Sequence, residues 1–252
     1  MKANPYLPAE ELYERLALRD MQAWLAKTKK EPSIANRLTK GTQRAINKLI
    51  PEKIHQAITK AIEVMVKGVL TGNQYVTPKP NPEPSLRLKE YKARKIIRFY
   101  QRTASVEGAV TGAGGILMGI ADFPAFLAIK MKMLFEVAAA YGFDVKDYRE
   151  RVFLLMIFKL TFSSQKTRNQ TILELETWDE GKLDLPENLD SFDWRSFQLE
   201  YRDYMDLAKL AQLLPIIGAG VGAVANYQLS KQLGKTAMNA YRLRYFSKKG
   251  LL

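Results

Sequence analysis

The chain has 252 residues with 39 Lys and Arg against 26 Asp and Glu, one histidine and no cysteine, for a formal net charge of +13. That length can bury a substantial core, and the missing thiols exclude disulfides, thiolate metal sites and a cysteine nucleophile. The excess of cations points to a polyanionic partner, either nucleic acid or an anionic membrane leaflet.

The opening MKANPYLPAEELYERL lacks the apolar core of a secretory signal and leads into an amphipathic helix. Leu12, Leu16, Leu18, Met21, Trp24 and Leu25 recur there at helical spacing. A second helix is predicted from Ser33, as its cap, to Leu49. The third begins at Pro51, where a first turn tolerates proline. Its stripe of Ile54, Ile58, Ala61, Ile62, Met65, Val66 and Val69 ends at Gly72-Asn73. His55 sits at the polar edge of that stripe and reads as a surface residue. A lone histidine without cysteine supports neither a zinc site nor a serine-histidine triad. From Thr77 to Pro84 the sequence TPKPNPEP blocks helix and favours an extended connection. The chain thus divides into an N-terminal helical layer (1–76), a Pro-rich linker (77–84) and a helical core (85–252), read as mainly one domain.

The core opens with a basic helix, KEYKARKIIRFYQR, from Lys89 to Arg102. It runs straight into an apolar, small-residue stretch from Ser105 to Tyr141. Gly108, Gly112, Gly115 and Gly119 fall at offsets of three and four, which lets helices approach closely. Asp122-Phe123-Pro124 reads as a fresh helix start, with Asp122 as cap and Pro124 in the first turn. The stretch is therefore predicted to be two helices. The half from Ala104 to Ile120 is glycine-rich, and the half from Phe123 to Tyr141 carries Lys130, Lys132 and Glu136. Neither is a clean transmembrane segment. A buried or re-entrant hairpin fits better, with partial insertion left open. Lys89, Lys92, Arg94, Lys95, Arg98 and Arg102 before the stretch, and Lys130 and Lys132 within its far half, are the candidate contacts to anionic lipid. Nucleic-acid binding rests on charge alone.

Helices follow from Asp147 to Ser163 and from Phe192 to Leu214, separated by the acidic ELETWDEGKLDLPENLDSFDW. That segment is either a solvated loop or a docking element for a basic partner or for this chain's own basic helix. A second glycine-punctuated run, with Gly218 and Gly222, precedes a basic, aromatic tail. Glu107 and Asp122 are acids in apolar surroundings, costly unless capped, paired or coordinating. Capping suffices for Asp122, and an ion pair to Arg98 or Arg102 for Glu107. The sharper alternative is a carboxylate pair that holds a hard cation or does acid-base work. Lys209, Asn226 and Tyr227 either anchor helix ends or line a polar patch that neutralises those acids. TGAGG satisfies neither a P-loop nor a Rossmann fingerprint.

Several ordered elements resemble the EcsC family, bacterial proteins whose founding member is encoded beside an ABC transporter. They are VEGAVTGAGG (Val106 to Gly115), Asp122 to Pro124, Tyr141-Gly142, LLPIIGAGVGAVANY (Leu213 to Tyr227) and AYRLR (Ala240 to Arg244). The N-terminal helices, including Pro51 to Ile54, resemble the family more loosely. The resemblance implies a helical protein, cytoplasmic or associated with the inner face of the cytoplasmic membrane and connected with transport, and supplies no catalytic residues. The reading is an all-α fold built on two glycine-rich helical hairpins packed together. Its function is non-enzymatic binding of anionic membrane surfaces without a cofactor, with an ABC transporter or other membrane protein, or a second copy, as partner. The alternative is a hydrolase-like enzyme using Glu107 and Asp122 in a central cavity.

Overall fold

In a computed structural model, the described residues are 9–29, 52–71, 78–112, 115–163, 165–181 and 219–252. Side chains are described for all of these except 52–55, 104–112, 115–122, 166, 219–223 and 225. Those residues form seven α-helices: α1 (Ala9–Lys29), α2 (Glu52–Thr71), α3 (Leu86–Gly112), α4 (Gly115–Tyr141), α5 (Tyr148–Phe162), α6 (Gln165–Glu176) and α7 (Ala219–Lys248). A short 3-10 turn, Trp178–Glu180, follows α6. The fold is all-α, as the helical periodicities of the sequence require.

Helix ends follow the local chemistry. Asp147 caps α5 by accepting from the Arg149 N–H, and Ser163 closes it with its own N–H on the Lys159 carbonyl. Ser85 caps α3, its Oγ accepting from the Leu88 N–H at 3.2 Å. Gly142 ends α4 with φ +92°, the left-handed turn a helix stop needs. Its N–H reaches the Ala139 carbonyl, and the Phe143 N–H reaches that of Ala138.

The long helix α7 is the centre of the packing. Its pairing with α3 is the most extensive among the described helices, and it also touches α1, α4, α5 and α6. Contacts fix the directions: Glu90 with Arg242 and Ile97 with Gly234 make α3 and α7 antiparallel. Lys130 with Asn226, and Tyr141 with Met238, make α4 and α7 parallel. Helices α3 and α4 run antiparallel, so the end of α3 at Gly112 and the start of α4 at Gly115 lie at the same end of the bundle as the start of α7. The proline segment is tied to the opposite end of that pair, where the Asn81 N–H and Nδ2 bond the carbonyls of Ala139 and Ala140 at 2.8 and 3.1 Å.

Two expectations change. The helix break predicted at Asp122-Phe123-Pro124 is absent: α4 runs continuously from Gly115, with Pro124 inside it. Asp122 therefore lies within a helix and is no cap. Helical neighbours on both sides supply the turn, so the proline forfeits only one i−4 hydrogen bond. The acidic segment also begins differently. Residues 165–176 are helical, Trp178 is buried against Phe153 at a ring distance of 5.2 Å, and Asp179 pairs with Arg244 at 2.8 Å. Its first part is packed against α5 through Trp178 and against α7 through Asp179. The helices predicted at Ser33–Leu49 and Phe192–Leu214, together with Lys209, Gly218 and the rest of the second glycine hairpin before α7, lie outside the described residues.

At Gly234 the backbone of α7 packs tightly on Ile97 of α3. A Cβ there would stand 2.6 Å from Ile97 Cγ2 and 2.9 Å from both Cγ1 and Cδ1. Gly234→Ala should therefore cost about 1–3 kcal/mol through overpacking. Urea unfolding checks it, and adding Ile97→Ala should restore part of the loss; an unchanged midpoint in the single variant would contradict the close crossing.

Candidate functional site

Helix α3 carries two kinds of cation, and the structure separates them by what lies beneath. On its inner side Glu90 is 0% exposed and takes Arg242 Nε and Nη2 on its two oxygens at 2.6 and 2.7 Å. Arg94 adds a third bond at 2.7 Å, and the Tyr13 hydroxyl donates a fourth at 2.5 Å. Burial opposes the charge on Arg242, but the bidentate Glu90 contact more than offsets it and holds the guanidinium charged.

The same stretch of α7 binds α5. Arg244 Nη1 meets Glu150 at 2.6 Å while its plane lies over the Phe143 and Phe153 rings at 3.9 and 4.6 Å. Tyr241 donates to the other Glu150 oxygen at 2.6 Å and stacks on Tyr141 at 5.0 Å. Burial pushes the Glu150 carboxyl up, against the pull of Arg244. Ala240 to Arg244 is thus a two-sided fastening of α7 to α3 and α5, and Tyr141-Gly142 is the stop that delivers Tyr141 to it. These motif residues hold the fold.

Burial also pushes both Tyr141 and Tyr241 well above the usual 10.0 of a phenol. Folding raises these values, so their contribution to stability is complete below pH 10 and is lost as pH climbs toward the folded-state values. The urea midpoint should fall above about pH 10, with the tyrosinate absorbance of the buried pair appearing only with unfolding. Titration of all tyrosines in the folded protein would refute the burial.

The outer side of α3 is different in kind. Arg87, Lys92, Lys95, Arg98 and Arg102 are exposed there with Leu88, Tyr91 and Phe99, the last two 57% and 61% exposed. This face carries no acid between Arg87 and Arg102, because the single carboxylate of that span is the buried Glu90. Beside it, a hollow of about 890 Å³ separates α3 from the proline segment and α4. Phe99 and Ile96 line its apolar part, and Lys79, Lys92, Lys95 and Lys132 its rim. Glu136 also reaches this hollow, where it accepts from the Tyr100 hydroxyl at 2.6 Å.

The cations grouped by sequence as lipid contacts therefore divide. Lys92, Lys95, Arg98, Arg102 and Lys132 are exposed. Lys89 instead bonds the last carbonyl of α4, Tyr141 O, at 3.0 Å, and burial with nearby Lys248 lowers its pKa. Arg94 belongs to the Glu90 cluster. Lys130 is the clearest correction: it is 1% exposed, reaching Asn226 Oδ1 at 2.6 Å and Ser230 Oγ at 2.8 Å beside the Phe126 ring. An ammonium packed this deeply joins α4 to α7 and is closed to a membrane. Asn226 accordingly serves Lys130, whereas Tyr227 is partly exposed.

Glu107 falls on α3 and Asp122 on α4, but their side chains, like those of His55 and the surroundings of Gly108, Gly112, Gly115, Gly119 and Gly222, lie outside the description. Among the described residues no group of three or more His, Cys, Asp or Glu side chains could hold a metal ion. No helix among them is long and apolar enough to cross a membrane. The sequence missed the burial of Lys130 and the inward turn of Arg94. Spacing offered a signal for the second, since Glu90 and Arg94 lie four apart on one helix face.

The molecule is an all-α bundle fastened by buried arginine-carboxylate clusters, with a basic, aromatic outer face. The chain belongs to the EcsC protein family, whose family model matches residues 15–246. It is 44% identical to Protein EcsC of Bacillus subtilis (strain 168), with 91% of this chain and 95% of that protein aligned. The Uncharacterized protein YdbA of the same organism is 29% identical, with 93% of each chain aligned. No solved structure matches it.

Proposed function

We propose that this protein docks on anionic membrane surfaces through the outer face of α3. One observation carries the reading: an exposed helix face with five cations, three large apolar side chains and no acid. Lysine and arginine supply the long-range attraction to an anionic leaflet, worth about 1 kcal/mol each near the surface. Tyr91, Phe99 and Leu88 supply the apolar contact that seats the helix at the headgroup boundary. The rest of the molecule stays above the bilayer, presenting a surface for membrane-resident machinery. The proposal places the protein at the inner leaflet and names an ABC transporter, the expectation attached to the family resemblance, as its partner.

Flotation of the purified protein tests the docking. Co-migration with anionic vesicles at low salt, loss at high salt and no migration with neutral vesicles are expected, because screening weakens exposed charge contacts. Failure to float with anionic vesicles at low salt would overturn the proposal, and resistance to alkaline carbonate would replace docking by insertion.

A further inference from the structure

A second basic feature lies on the other flank of α3, sharing only Arg98 with the outer face, in a cleft of about 720 Å³ walled by α1, α3 and α7. Lys27, Arg94, Arg98, Lys231, Lys235 and Arg242 line it, with Asp20 as the sole acid among the described residues. Arg94 and Arg242 are neutralised from below by Glu90. Among the described residues Lys27, Arg98, Lys231 and Lys235 pair with no carboxylate. Asp20 is itself exposed and lies 3.9 Å from Arg19.

This arrangement works against folding. Lys231 and Lys235 stand four apart on α7, as Arg94 and Arg98 do on α3, and like charges at that spacing repel. The close crossing at Gly234 and Ile97 holds the two walls together in the middle of the cleft. Three rigid helices thus keep uncompensated cations around one hollow of small-ligand size. Trp24, Ile97 and Met238 give it an apolar side, and Gln101 and Asn239 bring amides.

We propose that this cleft binds an organic phosphate bearing at least two negative charges, with its apolar portion against Trp24 and Met238. Ammonium and guanidinium groups converging from separate helices match a phosphomonoester or diphosphate, which accepts several charge-assisted hydrogen bonds at once. The phosphate can be presented by a lipid headgroup or by a soluble metabolite. Binding here is saturable and stoichiometric, unlike the diffuse attraction of the outer face, and it does not depend on that docking.

The test is calorimetry of the full chain with inorganic pyrophosphate, alongside vesicles containing phosphatidic acid or phosphatidylglycerol at matched surface charge. The proposal predicts one saturable site, or a preference for phosphatidic acid, weakened about tenfold or more in the Lys231→Gln/Lys235→Gln variant. Lys92→Gln/Lys95→Gln, on the outer face, should leave that site unchanged. A preference for phosphatidic acid that disappears in the cleft variant identifies a lipid source. Pyrophosphate binding without that preference identifies a soluble one. Neither signal, or equal signals in wild type and cleft variant, overturns the proposal while leaving the docking face standing on its own flotation result. Both lysines are exposed and partner no acid among the described residues, so circular dichroism should show the variant folded as wild type.

Discussion

Glu90→Gln should be the most damaging near-isosteric change in the chain, lowering stability by roughly 3–5 kcal/mol in urea unfolding. Glu90 is fully buried and answers two guanidinium groups and one hydroxyl. The amide removes the charge and replaces an acceptor oxygen by a donor that faces Arg242. Arg94 can relax toward solvent, being about two-fifths exposed, but Arg242 cannot. What is lost is the compensation of a buried cation, which costs far more than one hydrogen bond. Glu90→Leu combined with Arg242→Leu should recover most of the loss, because replacing a buried pair with apolar groups is often neutral. A Glu90→Gln variant as stable as wild type would show that the cluster does not join α3 to α7.

Neutralising the exposed lysines should act on binding and leave stability alone. Lys92→Gln/Lys95→Gln/Lys132→Gln removes about 3 kcal/mol of attraction at roughly 1 kcal/mol per cation, and so about a hundredfold in partition onto anionic vesicles. Among the described residues Lys132 forms no ion pair, and Lys92 gives up its bond to Asn81 Oδ1 at 2.7 Å. The unfolding free energy should stay within about 0.5 kcal/mol of wild type, as for surface changes generally. Partition that survives the triple change would move the docking face elsewhere. Lys130 offers the contrast: in Lys130→Gln the defect should appear in stability, since this ammonium reaches Asn226 and Ser230 inside the bundle.

Periodicity made the helices legible wherever one apolar stripe alternated with charge. The stripe from Ile58 to Val69 became the buried face of α2, and Asp147 and Ser163 proved to be the residues bounding α5. The Asp122 break misled because Asp-Phe-Pro has the chemistry of a helix start, while neighbouring helices in the bundle let α4 continue through Pro124. The helix at 165–176 gave little warning, being polar on most sides and secured by tertiary contacts such as Lys29 with Glu176 at 2.7 Å. The basic helix was legible as charge but not as orientation. Lys89 and Arg94 look like Lys92 and Lys95 in a string of letters, and only the positions of Tyr141 O and Glu90 assign them inward. The cleft beside α1 was invisible for a related reason: its cations come from Lys27, Arg98, Lys231 and Lys235, brought together only by the fold.

The chain contains no cysteine, so a single reporter thiol can be placed anywhere without background. The most direct measurement labels Phe99→Cys on α3 and Leu173→Cys on α6, both at exposed positions, with a polarity-sensitive fluorophore. Anionic vesicles are then added to each labelled protein. Docking through the outer face of α3 predicts a blue shift and intensity gain at position 99, reversed by salt, with position 173 unchanged. A response at 173 without one at 99, or none at either while the protein floats, would contradict the assignment of that face.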